Sequence, residues 1–528
     1  MHHEIYLDAN ATTPVLPAAA QAAQQTMQWT YGNPSSGHVM GLQAQALMQE
    51  VRARACRLLG AGEGRLLFVS GATEAIQTAV LSALCAIRAQ RQAGRATGRL
   101  LVYGATEHKA VPESIAHWNR VLGLDLEMRA LPVDSDGRHD LSALAAIAGD
   151  AALVCTMAAN NETGALSDLD GIEEVLTRCA PEALWLVDCV QALGKMPLRL
   201  GQRRIDYAAF SGHKLYAPKG IGLLYVAARA PFTPLMVGGG QEGACRSGTE
   251  NMAGIAALGA VLAALEDGSS FRTPASLLRM RDALVDSLRD AFPGVLFNTP
   301  LDHALPTTVN FSVPGRPSKE LMDVFDAAGI RVSAGSACSA AKAAPSHVLL
   351  AMGLPENRAA SAIRMSFGPA TDDAWIAQAC ARIRHCGEAL VQADRQRLQA
   401  AAQDAASEEA PAPDAPGDAA ATNPLQEVHD MRQFLVEHPD AELIDVREPG
   451  ERLAGGNLQL CGRATQHAAL STLAQHCGPW LSRKDAPLVF VCRSGARSAR
   501  AAALMRRMGH PNAWHLPGGL ALQGRQAE

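Results

Sequence analysis

Phe210-Ser211-Gly212-His213-Lys214 follows the apolar segment Tyr207-Ala208-Ala209-Phe210 and runs into the Pro/Gly turn Ala217-Pro218-Lys219-Gly220. A short apolar run ended by small and polar residues reads as a buried strand breaking into a turn. Lys214 is thereby set at a strand end, projecting into a cleft. An amine so placed can form an imine with an aldehyde cofactor, although on this stretch alone a surface lysine is the simpler reading. What decides between the two is the set of residues that the neighbouring strands carry.

From Leu66 onward, apolar strands alternate with amphipathic helices, the pattern of a mostly parallel sheet covered on both faces. The strands are predicted at 66–69, 100–103, 153–157, 185–187, 208–210 and Gly222–Val226, and a helix at about 42–59 precedes them. After Leu265 long helices take over around one strand, Thr308–Ser312, which predicts a smaller α+β lobe. The expected division is a large domain at about 15–265, a small domain from about 1–14 and 266–392, a flexible linker at 393–423 and a further domain at 424–528. The linker is read from Ala400 to Asn423, where Ala, Pro, Asp, Glu, Gly and Gln leave almost nothing large to bury. Beyond it, Leu443-Ile444-Asp445-Val446-Arg447 and Leu488-Val489-Phe490-Val491-Cys492 read as buried strands, with a helix at 499–508.

With 528 residues and 48% hydrophobic content the chain can bury several cores. Its 47 basic and 52 acidic residues nearly balance, so no electrostatic footprint for nucleic acid or an anionic membrane is present. Met1 to Asn10 has no basic flank followed by an apolar core, and the longest apolar run, 252–265, is too short to span a bilayer. The cytoplasm is the expected compartment. No two of the 12 cysteines stand in Cys-x-x-Cys spacing, so neither a disulfide scaffold nor a metal is expected.

An enzyme built on pyridoxal phosphate needs a Schiff-base lysine, an acid for the pyridinium nitrogen, a phosphate cup and a group against the ring. Val69-Ser70-Gly71-Ala72-Thr73-Glu74 joins a strand to a helix, so the amides opening that helix at Ala72 and Thr73, with the Thr73 hydroxyl, make an anion site. Asp188 ends the strand that contains Leu184-Trp185-Leu186-Val187, and Gln191 follows by about one helical turn. His108, in Thr106-Glu107-His108-Lys109, and Asn161, in Asn160-Asn161-Glu162-Thr163-Gly164, each follow another strand. Open α/β sheets hold their ligands at that edge.

These segments, with Tyr6-Leu7-Asp8-Ala9-Asn10-Ala11-Thr12-Thr13-Pro14, Gly32-Asn33-Pro34-Ser35-Ser36, Arg246-Ser247-Gly248-Thr249 and Gly335-Ser336-Ala337-Cys338, resemble the cysteine desulfurases of the iron–sulfur-assembly type. That family lies within the class-V aminotransferases of pyridoxal-phosphate fold type I. The resemblance runs from Tyr6 to about Val391. It implies that Lys214 is the Schiff-base lysine, Asp188 pairs with the ring nitrogen and His108 stacks on the ring. Thr73, Ser211 and His213 would hold the phosphate, and Asn161 and Gln191 would contact the ring-hydroxyl region. Thr249 would reach the phosphate of a neighbouring subunit, which makes the expected state a homodimer. Asn33 and Arg364 are the implied substrate contacts, Arg364 gripping a carboxylate with its planar fork.

Cys338 sits in Ser333-Ala334-Gly335-Ser336-Ala337-Cys338-Ser339-Ala340-Ala341-Lys342, a run of small residues that reads as a mobile loop. The resemblance makes it the nucleophile that takes sulfur from the substrate L-cysteine and becomes a persulfide. The family's usual Glu-Pro-Ser after this cysteine is Ala344-Pro345-Ser346 here.

In the last domain, Cys492-Arg493-Ser494-Gly495-Ala496-Arg497-Ser498 follows a strand and opens a helix, so backbone amides with Arg493 and Arg497 are expected to stabilise an anionic sulfur. A tyrosine-phosphatase loop would need an arginine where Ser498 stands. This loop, the strand 443–448 and Pro517-Gly518-Gly519 resemble a single-domain rhodanese sulfurtransferase, while Gly455-Gly456-Asn457-Leu458 departs from its usual Gly-His-Ile-Pro-Gly-Ala stretch. The expected function is desulfuration of L-cysteine to L-alanine, with sulfur relayed from Cys338 to Cys492 and on to an acceptor protein or thiol. The competing readings are a selenocysteine lyase or an aminotransferase, with a last domain that only docks.

Overall fold

The computed structural model describes residues 4–335, 345–406 and 425–523. The first strand, β1 (Ile5–Tyr6), is far from its chain neighbours and pairs with a strand near residue 330. The central sheet follows: β2 (Arg65–Val69), β3 (Leu100–Gly104), β4 (Glu127–Leu131), β5 (Ala151–Met157), β6 (Leu184–Asp188), β7 (Tyr207–Ser211) and β8 (Gly222–Val226). Its order is β2-β8-β7-β6-β5-β3-β4, parallel except where β8 meets β2 and β7. β4 is the strand the sequence pattern did not reveal.

The strands are buried on both faces, which is why they read as unbroken apolar runs. Alternate residues divide between two cores: Phe68, Trp185, Val187 and Phe210 face one side, Val69, Leu186, Tyr207 and Ala209 the other. One core is closed by helices Val39–Leu59 and Met252–Asp267, the other by Ala72–Gln92.

The second lobe is built on β9 (Leu296–Phe297), β10 (Thr308–Ser312), β11 (Ile330–Arg331) and β12 (Ala362–Ser366). β10 lies between β9 and β12, antiparallel to both, while β11 is the partner of β1. Ile5 and Leu7 thereby enter a core shared with Leu284, Phe311, Phe325 and Ile383. Helix Asp373–Ala406 continues through the start of the stretch expected to be a linker, so 393–406 are helical.

The last domain carries a parallel sheet of β13 (Gln426–Glu427), β14 (Glu442–Asp445), β17 (Gln466–His467), β18 (Leu488–Val491) and β19 (Ala513–His515), in the order β13-β19-β18-β14-β17. A separate antiparallel pair, β15 (Gln459–Leu460) with β16 (Arg463–Ala464), stands beside it. Helix Ala496–Arg507 follows β18 after a turn at Gly495, whose φ of 87° belongs to the left-handed region. A side chain there would also meet the Gly518 nitrogen at 2.6 Å, so glycine is required on both counts.

Candidate active site

At the C-terminal ends of β5, β6 and β7 the chain leaves the sheet in three turns, and the turn after β2 meets them from the antiparallel side. Together they bound a cavity of about 520 Å³. Ala72, Thr73, His108, Asn161, Asp188, Gln191, Ser211, His213, Lys214 and Arg364 all line it. Ten residues drawn from across 292 positions of sequence thus share one wall, although only the local strand–turn pattern of each was visible beforehand.

Lys214 closes a short 3₁₀ turn, Gly212–Lys214, directly after β7. Its Nζ donates to the Asn10 and Ala11 carbonyls, both at 2.7 Å. Asp188 Oδ1 accepts from the Val190 amide at 2.9 Å. Burial raises its pKa, against the pull of that amide, His108 and Lys214. His108 Nδ1 accepts from the Ala110 amide at 3.2 Å, which puts the ring proton on Nε2. Burial chiefly, with Lys214 and His347, lowers the pKa of this imidazole and favours its neutral form.

A cup fit for an anion lies at the opening of helix Ala72–Gln92, which Ala72 and Thr73 begin, and Ser211 stands opposite Gly71. His213 joins it with Nδ1 3.1 Å from Thr12 Oγ1, its pKa pushed down to about 4 by burial and by the charges of Lys214 and Lys219. Lys219 lines the same cavity and adds a positive charge.

Arg364, on β12, reaches the cavity from the small lobe and is 2% exposed. Nη2 contacts Asp8 Oδ1 at 2.6 Å and Ser333 Oγ at 3.2 Å, and Nη1 donates to the Asn161 carbonyl at 2.9 Å. Nε is a buried donor with no hydrogen-bond partner among the described residues. A buried N–H left in this state costs free energy until something accepts from it. A carboxylate is one group that could accept from it.

Three expected residues lie elsewhere, and a fourth is not among the described residues. Asn33 is exposed, with Oδ1 accepting from Ser35 N at 2.9 Å, and Thr249 is exposed on the loop after Arg246. Cys338 falls outside the described residues. Cys492 lies in the last domain, fully buried, where its Sγ accepts from the Ser498 amide at 3.3 Å. Arg493 and Arg497, expected to attend on that sulfur, are paired with carboxylates, Arg493 with Asp323 and Asp326 and Arg497 with Glu451, while Arg497 remains near enough to interact electrostatically with Cys492. A charged hydrogen bond to a carboxylate outcompetes one to a thiol, and such acids were within reach.

Several contributors were missed. Asn10 Nδ2 donates to Thr308 Oγ1 at 2.8 Å, and its carbonyl accepts from both Lys214 and Gln191. Lys195 Nζ donates to Gln191 Oε1 at 2.9 Å and so fixes which way that amide points. Glu107, next to His108, is 2% exposed with both carboxyl oxygens unpartnered among the described residues, and burial raises its pKa well above the usual range. The only sequence signal for Asn10 was the polar break after β1. Its partners are hundreds of residues away.

Among the described residues no group of His, Cys, Asp and Glu is placed to hold a metal ion, and no helix is long and apolar enough to cross a membrane. The Aminotransferase class-V family model matches residues 5–378, and the Rhodanese-like domain model matches 427–522. A cysteine desulfurase of Cereibacter sphaeroides is 38% identical over 377 residues, 70% of this chain and 92% of that protein. Cysteine desulfurase IscS of Dictyoglomus turgidum is 32% identical over 371 residues, 70% of this chain and 90% of its own. Among solved structures, a NifS-like protein superposes with a TM-score of 0.64 at 31% identity, covering 72% of this chain and 98% of that one. SspA in complex with cysteine superposes with a TM-score of 0.58 at 25% identity, covering 70% and 99%.

Proposed function

Since the chain belongs to the class-V aminotransferase family, as a cysteine desulfurase followed by a rhodanese-like domain, we propose that its cavity turns L-cysteine into L-alanine and that the sulfur is relayed between two cysteines. The family binds pyridoxal phosphate. That cofactor, when bound, supplies an electron sink for the substrate's α-carbon. One observation carries the reading: lysine, aspartate, histidine, an amide-lined cup and an arginine with an unpartnered N–H converge on a single cavity.

In this reading Lys214 would hold the cofactor aldehyde and carry the α-proton. Asp188 would pair with the ring nitrogen, and His108 would stack on the ring, with its Nε2 proton available to a departing group. Ala72, Thr73, Ser211 and His213 hold the phosphate, and Asn161 and Gln191 the ring-hydroxyl side. Arg364 and Asn33 bind the substrate carboxylate. Cys338 attacks the substrate sulfur: the carbon–sulfur bond breaks, a sulfur–sulfur bond forms, and the carbon keeps the electron pair and takes a proton, giving alanine and a persulfide. Transfer to Cys492 then exchanges one sulfur–sulfur bond for another, leaving Cys338 as its thiolate. Onward delivery goes to an acceptor protein or thiol in the cytoplasm.

A homodimer belongs to this reading, because Thr249 is exposed and away from its own cavity, as service to a neighbouring subunit's phosphate requires. The domain division is proposed at the end of helix Asp373–Ala406 and the start of β13. A tether between the domains raises the local concentration of one thiol near the other.

The test combines absorption with product analysis. The wild type with pyridoxal phosphate should be coloured and yield alanine from L-cysteine without an oxo acid, while Lys214→Ala should do neither. Cys492→Ser should form alanine as before yet carry no labelled sulfur on the last domain. A requirement for an oxo acid would establish a transaminase instead, and undiminished label on that domain would remove the relay.

A further inference from the structure

The rhodanese-like domain is seated on the small lobe through one short helix, Pro449–Gly455, packed against Ser318–Ala327 and Asp373–Ala406. Its small residues make the approach close. A Cβ on Gly450 would stand 3.1 Å from Leu390 and 3.4 Å from Val324, and one on Gly455 would stand 2.8 Å from the Ala327 carbonyl. Ala454 is itself part of the small lobe's core.

Around this apolar contact run ion pairs from the loop that carries Cys492. Arg493 Nη1 is 2.9 Å from Asp323 Oδ1, and its Nε is 2.6 Å from Asp326 Oδ2. Arg497 bonds Glu451 at 2.7 Å and stands 3.8 Å from Asp323 Oδ2. Asp323 also accepts from Lys319 at 2.7 Å, and Asp326 from Arg331. Of the four pairings that these two guanidinium groups make, three are with Asp323 and Asp326 of the small lobe and one is with Glu451 of their own domain, while Cys492 lies fully buried in that domain's core beneath the loop.

We propose that the acidic face of Ser318–Ala327 is a docking surface for the chain's own Cys492 loop, and that the docked arrangement holds this cysteine closed to sulfur donors and acceptors. Asp323 and Asp326 stand in for an anionic partner of Arg493 and Arg497. Undocking frees Arg493 and loosens the loop over the sulfur while Arg497 stays with Glu451 of its own domain, so access to Cys492 is governed by an ion-paired interface rather than by the loop alone. The inference deepens the relay and takes from it the identity of Cys492 as the receiving sulfur. The docking itself stands on geometry alone.

The experiment follows alkylation of Cys492 by iodoacetamide in the full-length holoenzyme, read by mass spectrometry of its peptide. The double variant Asp323→Asn/Asp326→Asn should be labelled about tenfold faster than wild type, the equivalent of roughly 1.4 kcal/mol, with alanine formation from cysteine unchanged. Raising salt from about 0.1 M to about 1 M should speed labelling of the wild type and leave the variant unaffected, as screening of ion pairs that solvent reaches at Arg493 requires. Gly450→Val, which crowds Leu390 and Val324 from the other side of the interface, should give the same acceleration and covers the case in which the double variant fails to fold. Equal labelling rates for wild type and a folded variant would overturn the docking. Faster labelling with no sulfur reaching Cys492 during turnover would leave the docking standing and remove the relay.

Discussion

Replacing Arg364 with lysine keeps one positive charge and removes the planar fork. Lysine can still reach Asp8, whose Oδ1 lies 2.6 Å from Nη2, but it cannot at the same time serve the Asn161 carbonyl and offer the unpartnered Nε. If Arg364 binds the substrate carboxylate as proposed, the loss that matters for catalysis is one charge-assisted hydrogen bond, about 1.5–3 kcal/mol. At roughly 1.36 kcal/mol per factor of ten, kcat/KM for L-cysteine should fall about 10- to 150-fold. The fall should sit in KM, because the contact forms on binding and persists through the reaction. L-cysteine methyl ester supplies the control, since its neutral ester cannot use the charge: the variant should handle it no worse than the wild type does. Alanine formation under initial-rate conditions gives both comparisons. A kcat/KM within twofold of wild type, or an equal fall for ester and acid, would refute the assignment of this guanidinium to the carboxylate.

Gly222→Ala should disable cofactor binding without touching a cofactor-binding side chain. Its Cβ would stand 2.4 Å from the Phe210 carbonyl and 2.8 Å from Gly71 Cα, so the strand end before Lys214 and the phosphate turn must part. A destabilisation of about 1–3 kcal/mol is expected from such overpacking, seen as a lower Tm and weaker binding in a pyridoxal-phosphate titration. An unchanged titration would show that the turn tolerates the shift. His139, fully buried with its pKa pushed down to about 4 by burial, is neutral in the folded chain. The unfolded chain takes up a proton below about pH 6.5 and the folded one does not, so stability is present above that pH and lost as the pH falls toward 4. Glu107, 4.0 Å away, is protonated by burial and pulls the other way over the acid range, so the measurement is a difference. Between pH 7 and pH 4 the stability gap between wild type and His139→Asn should close by about 3 kcal/mol, and a gap independent of pH would contradict a buried neutral imidazole.

The strands that build the cavity were legible because each is an apolar run ended by polar or small residues, and a parallel sheet hides both faces of such runs. β4 was not legible: Glu127-Met128-Arg129-Ala130-Leu131 is the sheet's edge, where only Leu131 is buried and neither an apolar run nor an alternation survives. The helix that overran the expected linker was hidden for the opposite reason. Ala, Gln, Arg and Leu after Ala393 bury little but are strong helix formers, and the first proline comes only at Pro411. The site residues were readable one turn at a time. Their supports were not, since the pairs that orient them, Arg364 with Asp8 and Asn10 with Thr308, span 356 and 298 residues.

Burial by itself does not make a cysteine inert, and the hydrogen bonds explain why Cys492 differs from the other buried ones. Burial pushes the Cys155 and Cys189 thiols well above their usual range, and the Cys386 thiol up to about 12. Cys380, Cys386 and Cys477 donate to the carbonyls of Ala283, Val324 and Leu473. A thiol used in that way needs its proton, and losing it would set a thiolate against a carbonyl oxygen. Cys492 Sγ donates to the Ser498 hydroxyl at 3.6 Å and also accepts the Ser498 N–H at 3.3 Å, near the start of helix Ala496–Arg507, a contact that the other three thiols are not shown to have. Both hydrogen bonds of Cys492 are thus made with Ser498, on the same loop whose Arg493 is paired with Asp323 and Asp326, so what holds that loop also fixes the surroundings of the sulfur.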